Sequence, residues 1–288
     1  MKIVKTIEEI RQEIRQARQH SHSIGFVPTM GALHAGHRSL IEAARKQCSF
    51  VAVSIYVNPT QFGPAEDFSR YPRNVTADAI VCEKAGADVI FAPDDSVLYP
   101  TEQRVWVVVE KLTDNLCGRF RPGHFRGVAT VCVKFFNIIG PDQAFFGQKD
   151  AQQVVVIRRM VTDLNLPLQI VTCPTLREPD GLAMSSRNQY LSPEQRKQAV
   201  LLSAALRECK RVFSQGQHNV SALIAAMRMI LSQGPILHPE YVQIVDMDSL
   251  EDIDTVDRPA LAAMAVRCGQ TRLIDNCLLG LQNGLDSL

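Results

Sequence analysis

What this chain lacks narrows its chemistry before any motif is read. Its 31 lysines and arginines stand against 30 acidic residues, a formal charge of +1. No overall field would therefore hold a polyanion, which argues against a nucleic-acid partner. Any phosphate chemistry must come from local positive groups. No apolar run reaches the roughly 18 residues of a membrane-spanning helix, and the first 19 residues alternate charge with isoleucine instead of forming the apolar core of a secretory leader. C-x-x-C pairs are missing as well. The eight cysteines (Cys48, Cys82, Cys117, Cys132, Cys173, Cys209, Cys268 and Cys277) have neither zinc-site nor disulfide spacing. Most sit in apolar runs such as Val131-Cys132-Val133, where a thiol acts as a small hydrophobe. A reducing cytoplasm and no membrane partner are expected.

What is present is enough for a sizeable core. With 288 residues, 46% hydrophobic and 21% charged, the chain is long enough for two domains. β-rich runs at 23–27, 50–57, 88–91, 105–109, 143–146 and 168–173 are separated by helical periodicity at 38–47, 75–85, 127–139 and 152–163. Such alternation predicts an α/β fold, a Rossmann-like parallel sheet with helices on both faces. Ligands of such sheets bind beyond the carboxyl ends of the strands. After Pro174 the texture changes: two amphipathic helices, 193–214 and 220–233, precede three short strands at 240–245, 260–267 and 271–279. We place a boundary within 175–182, giving a catalytic domain over 1–176 and a smaller α+β domain over 177–288.

Three strings occupy strand ends. Pro28-Thr29-Met30-Gly31-Ala32-Leu33-His34-Ala35-Gly36-His37 follows the strand ending at Val27 and opens a helix. A helix N-terminus offers unpaired amides to phosphate, and two histidines three apart add ring donors. Val57-Asn58-Pro59-Thr60-Gln61-Phe62 ends the next strand; Asn-Pro is a turn signal, and the Gln61 amide offers both donors and an acceptor. Phe145-Phe146-Gly147-Gln148-Lys149-Asp150-Ala151-Gln152-Gln153 joins a strand to a helix: Gly147 permits close backbone approach, Lys149 can meet phosphate charge, and Asp150 suits a helix cap. Past the boundary, Met184-Ser185-Ser186-Arg187-Asn188 reads on its own equally well as a cap or surface turn. Gly118 to Val128, with Arg119, Arg121, Arg126 and His124, is open between an anion site and a solvated loop or dimer contact. It receives no catalytic role.

His34-Ala-Gly-His37 resembles the HIGH signature of the nucleotidyl-transfer superfamily, and the whole string from Pro28 to Leu40 resembles the pantothenate synthetase family within it. Met184 to Asn188 is similar to the superfamily's second, KMSKS-type signature. The resemblance implies an ATP-dependent ligase that forms a pantoyl-adenylate, releases pyrophosphate, and joins the acyl group to β-alanine with release of AMP. It implies His34, His37 and Lys149 as catalytic, with His37 the proton donor. Met30, Gly31, His34, Gly36, His37, Gly147, Gln148, Lys149, Asp150, Leu176, Met184, Ser185, Ser186 and Arg187 would bind ATP, and Gln61 and Gln153 would bind pantoate near the β-alanine site. It further implies Mg²⁺ on the phosphates, a lid over 66–73 and a homodimer. The usual family string has Glu where Gln148 stands. A nucleotidyltransferase, a small aminoacyl-tRNA synthetase relative, or a nucleotide-binding module without catalysis are the competing readings; near-zero charge opposes a tRNA partner.

Overall fold

The computed structural model describes residues 1–64 and 66–280, and these divide into two compact units. The first comprises residues 1–110, 121–147 and 156–173; the second comprises 111–120, 148–155 and the chain from 174 onward.

In chain order the elements leading to the central sheet are β1 (Lys2–Val4), α1 (Ile7–Gln19), β2 (Ile24–Thr29), α2 (Ala35–Gln47), β3 (Phe50–Ile55), α3 (Val75–Ala85), β4 (Val89–Phe91), α4 (Asp95–Leu98), α5 (Leu116–Phe120), α6 (His124–Ile139), β5 (Gln143–Gly147), α7 (Ala151–Asp163) and β6 (Gln169–Cys173). The six strands pair in parallel in the order β1-β4-β3-β2-β5-β6. Alternation along a strand sends side chains to opposite faces. Val27, Val51, Val53 and Ile55 thus meet Leu40, Ile41 and Ala44 of α2 and Cys82 and Ala85 of α3. Phe26 points the other way, its ring 5.7 Å from Phe135 and 6.4 Å from Phe136 of α6. This is the expected α/β sheet. From β2 the chain builds outward through β3 and β4, then crosses to β5 and β6 on the other flank. The switch falls between β2 and β5, where ligand crevices form in sheets of this type.

One expected strand is absent. The run 105–109 is not a strand. The Val107 amide donates to the Thr130 hydroxyl at 3.0 Å, and Val105 and Val108 stay 76% and 61% exposed. β-propensity without an adjacent strand edge does not make a strand. The first 19 residues, in contrast, hold a helix: Thr6 and Glu9 form a capping box before α1, which buries Ile10, Ile14 and Ala17 on one stripe.

The second unit carries α8 (Pro193–Ala199), α9 (Leu201–Ser214), α10 (Val220–Leu231), β7 (Leu237–Asp246), β8 (Ala260–Cys268) and β9 (Thr271–Leu279). The single helix expected over 193–214 is two, meeting at Val200. β7, β8 and β9 form an antiparallel sheet in that order, with β8 and β9 joined across Gly269-Gln270. β8 is central and buried from Ala260 to Val266, and its small alanines let the apolar stripe of α9 (Leu202, Ala205, Leu206, Cys209) and of α10 (Leu223, Met227) join one core with it. All eight cysteines are free and buried. Burial pushes the Cys82, Cys132 and Cys209 thiols up to about 12. Among the described residues no helix is long and apolar enough to cross a membrane.

Candidate functional site

In the first unit the site is built beyond the ends of β2 and β3. Thr29 closes β2 with its hydroxyl donating to the Ser54 carbonyl at 2.6 Å and accepting from the Gly31 amide at 3.2 Å. Gly31 then turns with φ of +82°, and a Cβ there would stand 2.9 Å from Asp78 Oδ2. Both facts reserve the position for glycine. Asp78 of α3, 3% exposed, accepts from the amides of Ala32 at 3.1 Å and Leu33 at 2.8 Å. Burial pushes its carboxyl above the ordinary range, and the two amide bonds pull it back only in part.

The loop so fixed delivers His34 as the N-cap of α2. His34 Nδ1 accepts from the Gly36 amide at 3.1 Å, and the His34 amide donates to His37 Nδ1 at 3.4 Å. The pair is a capping box made from two imidazoles. A neutral imidazole carries one N–H. With both Nδ1 atoms accepting, the proton sits on both Nε2 atoms. The rings lie 4.1 Å apart at their centroids, tilted by 41°. Two N–H donors at a helix N-terminus make a place for an anion.

Gln61 is held beside this loop. Asn58, 1% exposed, caps the turn Pro59–Gln61 and donates through Nδ2 to Gln61 Oε1 at 3.0 Å and to the Gly127 carbonyl at 3.2 Å. Gln61 Nε2 is thereby turned to Met30 Sδ, 3.1 Å away, a weak acceptor that a better one could replace. His124 Nδ1 donates to the Gln61 carbonyl at 2.9 Å, because its Nε2 faces the Arg121 guanidinium at 2.9 Å and must accept. Arg121 also grips both oxygens of Glu66, at 2.7 and 2.6 Å. Burial works to raise the Glu66 carboxyl, but the guanidinium outweighs it and leaves it below the usual range. Gly127 lets α6 approach this turn, since a Cβ there would collide with the Thr60 carbonyl oxygen. Within 118–128, Arg121 and His124 brace the Gln61 turn. Arg126 stacks over Trp106 at 4.5 Å. Gly147 closes β5, the neighbour of β2 across the switch point.

In the second unit Gln148–Asp150 form a 3₁₀ turn leading directly into α7. Lys149 Nζ lies 3.8 Å from Asp150 Oδ1, with side chains 21% and 48% exposed. Of the two following glutamines, Gln152 is buried and structural. Its amide donates to the carbonyls of Leu112 and Asn115 at 2.9 and 2.8 Å and accepts from the Cys117 amide at 2.9 Å. Gln153 is half-buried. The loop from Leu176 onward doubles back: the Met184 amide donates to the Leu176 carbonyl at 3.0 Å, and Arg177 bridges to Ala183. Ser185 caps the 3₁₀ turn Ser186–Tyr190, its Oγ accepting from the Arg187 amide at 3.3 Å. Its hydroxyl proton is still a donor. Arg196 of α8 clamps Glu178 at 2.7 Å and Asp180 at 2.5 Å.

The structure thus gathers Met30, Gly31, His34, Gly36, His37 and Gln61 in the first unit, with Gly147 at its sheet switch point. Gln148, Lys149, Asp150, Gln153, Leu176, Met184, Ser185, Ser186 and Arg187 belong to the second. Sequence reading missed Asp78 and Asn276. A single Asp inside a helix and a single Asn inside a strand carry no pattern, and their partners are 45 and 128 positions away.

The model of the family described as pantoate-beta-alanine ligase matches residues 2–278. A pantothenate synthetase of Pelotomaculum thermopropionicum is 51% identical over 280 residues, 97% of this chain and 99% of the relative. One from Roseiflexus castenholzii is 52% identical over 279 residues, with the same coverage. Among solved structures, pantothenate synthetase from Thermus thermophilus superposes with a TM-score of 0.92 at 44% identity, covering 96% of this chain and 99% of that one. The ligase from Francisella tularensis, complexed with beta-gamma ATP and beta-alanine, gives 0.80 at 34% identity, covering 96% and 97%.

Proposed function

From the chain's membership of the pantoate–β-alanine ligase family, which the match over residues 2–278 establishes, we propose that it uses ATP to make pantoate an acyl-adenylate before joining it to β-alanine. The chain is a ligase forming pantothenate from these two substrates. Carboxylate and amine do not condense unaided, because hydroxide leaves poorly. A pantoate oxygen attacks the α-phosphorus and pyrophosphate departs with the electrons of the broken P–O bond. The neutral β-alanine amine then attacks the acyl carbonyl, AMP leaves, and the amide nitrogen loses its proton.

The observation that carries this reading is the double imidazole cap, with both Nε2 atoms bearing protons. Those N–H groups donate to phosphoryl oxygens as charge grows on them, the effect that contributes most in such reactions. His37 is the proton donor of the pair. Lys149, Ser185, Ser186 and Arg187 serve the phosphates. Met30, Gly31, Gly36, Gly147, Gln148, Asp150, Leu176 and Met184 frame the nucleotide, and Gln61 and Gln153 bind pantoate. The catalytic span is assigned to residues 1–176 and the phosphate-reaching loop to the span from 177, although 111–120 and 148–155 belong to the second compact unit. The segment 66–73, tethered by Glu66 to Arg121, belongs to a lid that shields the adenylate from water.

Among the described residues no group of three or more His, Cys, Asp or Glu side chains is placed to hold a metal. Mg²⁺ would therefore be carried by the triphosphate, as is usual where protein ligands are few, and no step here runs through it. The working form is a cytoplasmic homodimer. The valine-rich 103–110 segment, with Val105 and Val108 exposed, is the surface a second copy would cover. V105K/V108K is expected to sediment as a monomer where the wild type sediments as a dimer.

Pantoate-dependent exchange of labelled pyrophosphate into ATP, with AMP released only when β-alanine is added, tests the scheme. ADP as product would contradict it.

A further inference from the structure

We propose that Asp275 and Asn276 of β9 are positioning residues that fix the spacing between the Lys149 turn and the loop carrying Ser185, Ser186 and Arg187. The inference rests on the reading that those two strings face the ATP phosphates. Both strings lie within the second unit, and so does β9.

The two residues are consecutive and buried, at 2% and 5% exposure, in a strand whose other buried positions are apolar apart from Thr271. Burying a carboxylate and an amide side by side is costly unless each is fully engaged. Both are. Asn276 Nδ2 donates to the Gln148 carbonyl at 3.0 Å and the Lys149 carbonyl at 2.8 Å, while its Oδ1 accepts from Gln148 Nε2 at 3.1 Å. That uses two donors and the acceptor of one amide on one turn. Asp275 accepts a two-pronged bond from Arg177, Nη1 to Oδ2 at 2.7 Å and Nη2 to Oδ1 at 2.9 Å. Arg177 Nη1 reaches on to the Gly181 carbonyl at 3.1 Å, so the grip extends into the bend of the loop. The two anchors are themselves joined, because Asp275 Oδ1 accepts from the Asn276 amide at 2.8 Å.

Successive side chains of a strand leave on opposite faces. One dipeptide can therefore hold a chain segment on each side of an edge strand, and β9 is an edge strand. The Gln148 side chain has a job in this arrangement: it closes the Asn276 acceptor. Displacement of a charged donor by a fraction of an ångström is enough to weaken transition-state stabilisation without altering what the donor is.

The test uses the full-length enzyme and the pyrophosphate exchange assay. Asn276→Ala is expected to lower the maximal exchange rate at saturating ATP and pantoate by about 10- to 100-fold, with the KM for pantoate changed less than twofold, the melting profile still cooperative, and the aminolysis of pre-formed enzyme-bound adenylate near wild type. Asn276→Gln, which keeps the amide but moves it by one methylene, provides the second variant should the first not fold, and is expected to show the same split. Asn276→Ala combined with Arg177→Lys should cost less than the product of the singles, because both act on one spacing. Native exchange rates in folded Asn276→Ala or Asn276→Gln, while Lys149→Ala abolishes exchange, would overturn the positioning role. Native exchange in Lys149→Ala would overturn the reading beneath it.

Discussion

The loop after β2 and the loop after Leu176 are both short segments that must hold polar groups still, and they are held by different physics. The first is fixed by backbone amides: Thr29, Asp78 and the two imidazoles each accept N–H groups of the segment itself. The second adds ion pairs to its own backbone bonds, through Arg177 on Asp275 and Arg196 on Glu178 and Asp180. Bonds to local amides are little weakened by salt. Ion pairs between guanidinium and carboxylate are screened by it, and their strength depends on how dry they are. The first loop is thus a preformed site and the second an adjustable one, and the difference can be attacked from either side.

The largest effect is expected at the driest ion pair. Asp275→Ala leaves the Arg177 guanidinium buried without its carboxylate and should cost about 3 to 5 kcal/mol of unfolding free energy, read as an early transition of the second unit in thermal melts. Removing a ring from the first loop should instead cost only about 0.5 to 2 kcal/mol of stability, the worth of the lost cap, and be severe in rate. His37→Ala is expected to slow pyrophosphate exchange by about 10²- to 10³-fold, or 2.7 to 4 kcal/mol in the barrier. Gly127→Ala, which forces a methyl onto the Thr60 carbonyl, should cost about 1 to 3 kcal/mol of stability and raise the pantoate KM by displacing the Gln61 turn.

Acid acts on the depressed carboxyls next. In the second, the Ser249 amide bond holds the Asp246 carboxyl down to about 2, burial opposes it, and Arg258 and the Asp248 amide add to the pull. A depressed carboxyl stabilises the fold above its unfolded value near 3.8 and loses that contribution as pH falls towards 2. Discounted for the half-exposed Arg258, the loss is roughly 1 to 2 kcal/mol. The Glu178 carboxyl, held down first by Arg196, likewise loses its contribution in acid. No such loss attaches to Asp78, whose carboxyl burial pushes up, whereas Glu66 of the first unit, held low against its burial by Arg121, loses its contribution in acid as well. Hydrogen exchange between pH 4 and 2 should show protection falling around Asp246. The smallest effect is at the partly exposed clamp: Arg196→Met should cost about 0.2 to 1 kcal/mol at low salt and less at high salt.

The same contrast explains what could be read in advance. The parallel sheet, its helices and the strand-end loops were legible because period and alternation are local, and the strings from Pro28 to His37 and from Gly147 to Gln153 announce themselves by residue type and setting. The strand expected over 105–109 failed because pairing depends on a neighbouring edge that a single run cannot supply. The double use of His34 and His37 as mutual caps was hidden, since a ring's role depends on which nitrogen the backbone occupies. Gln152 and Gln153 look alike in sequence, and only packing shows that the first is committed to Leu112, Asn115 and Cys117. For Arg121 and His124 the sequence leaves an anion site, a solvated loop and a dimer contact all open, because their partners, Glu66 and the Gln61 carbonyl, lie far away in the chain.

The most direct test is the tautomer of two rings. In ¹⁵N-histidine-labelled protein at neutral pH, long-range proton–nitrogen correlation should find His34 and His37 both protonated at Nε2 and bare at Nδ1, as amide bonds to the two Nδ1 atoms require. Protonation at Nδ1 of either ring would mean that the cap does not form, and the donor pair assigned to the phosphates would lose its physical basis.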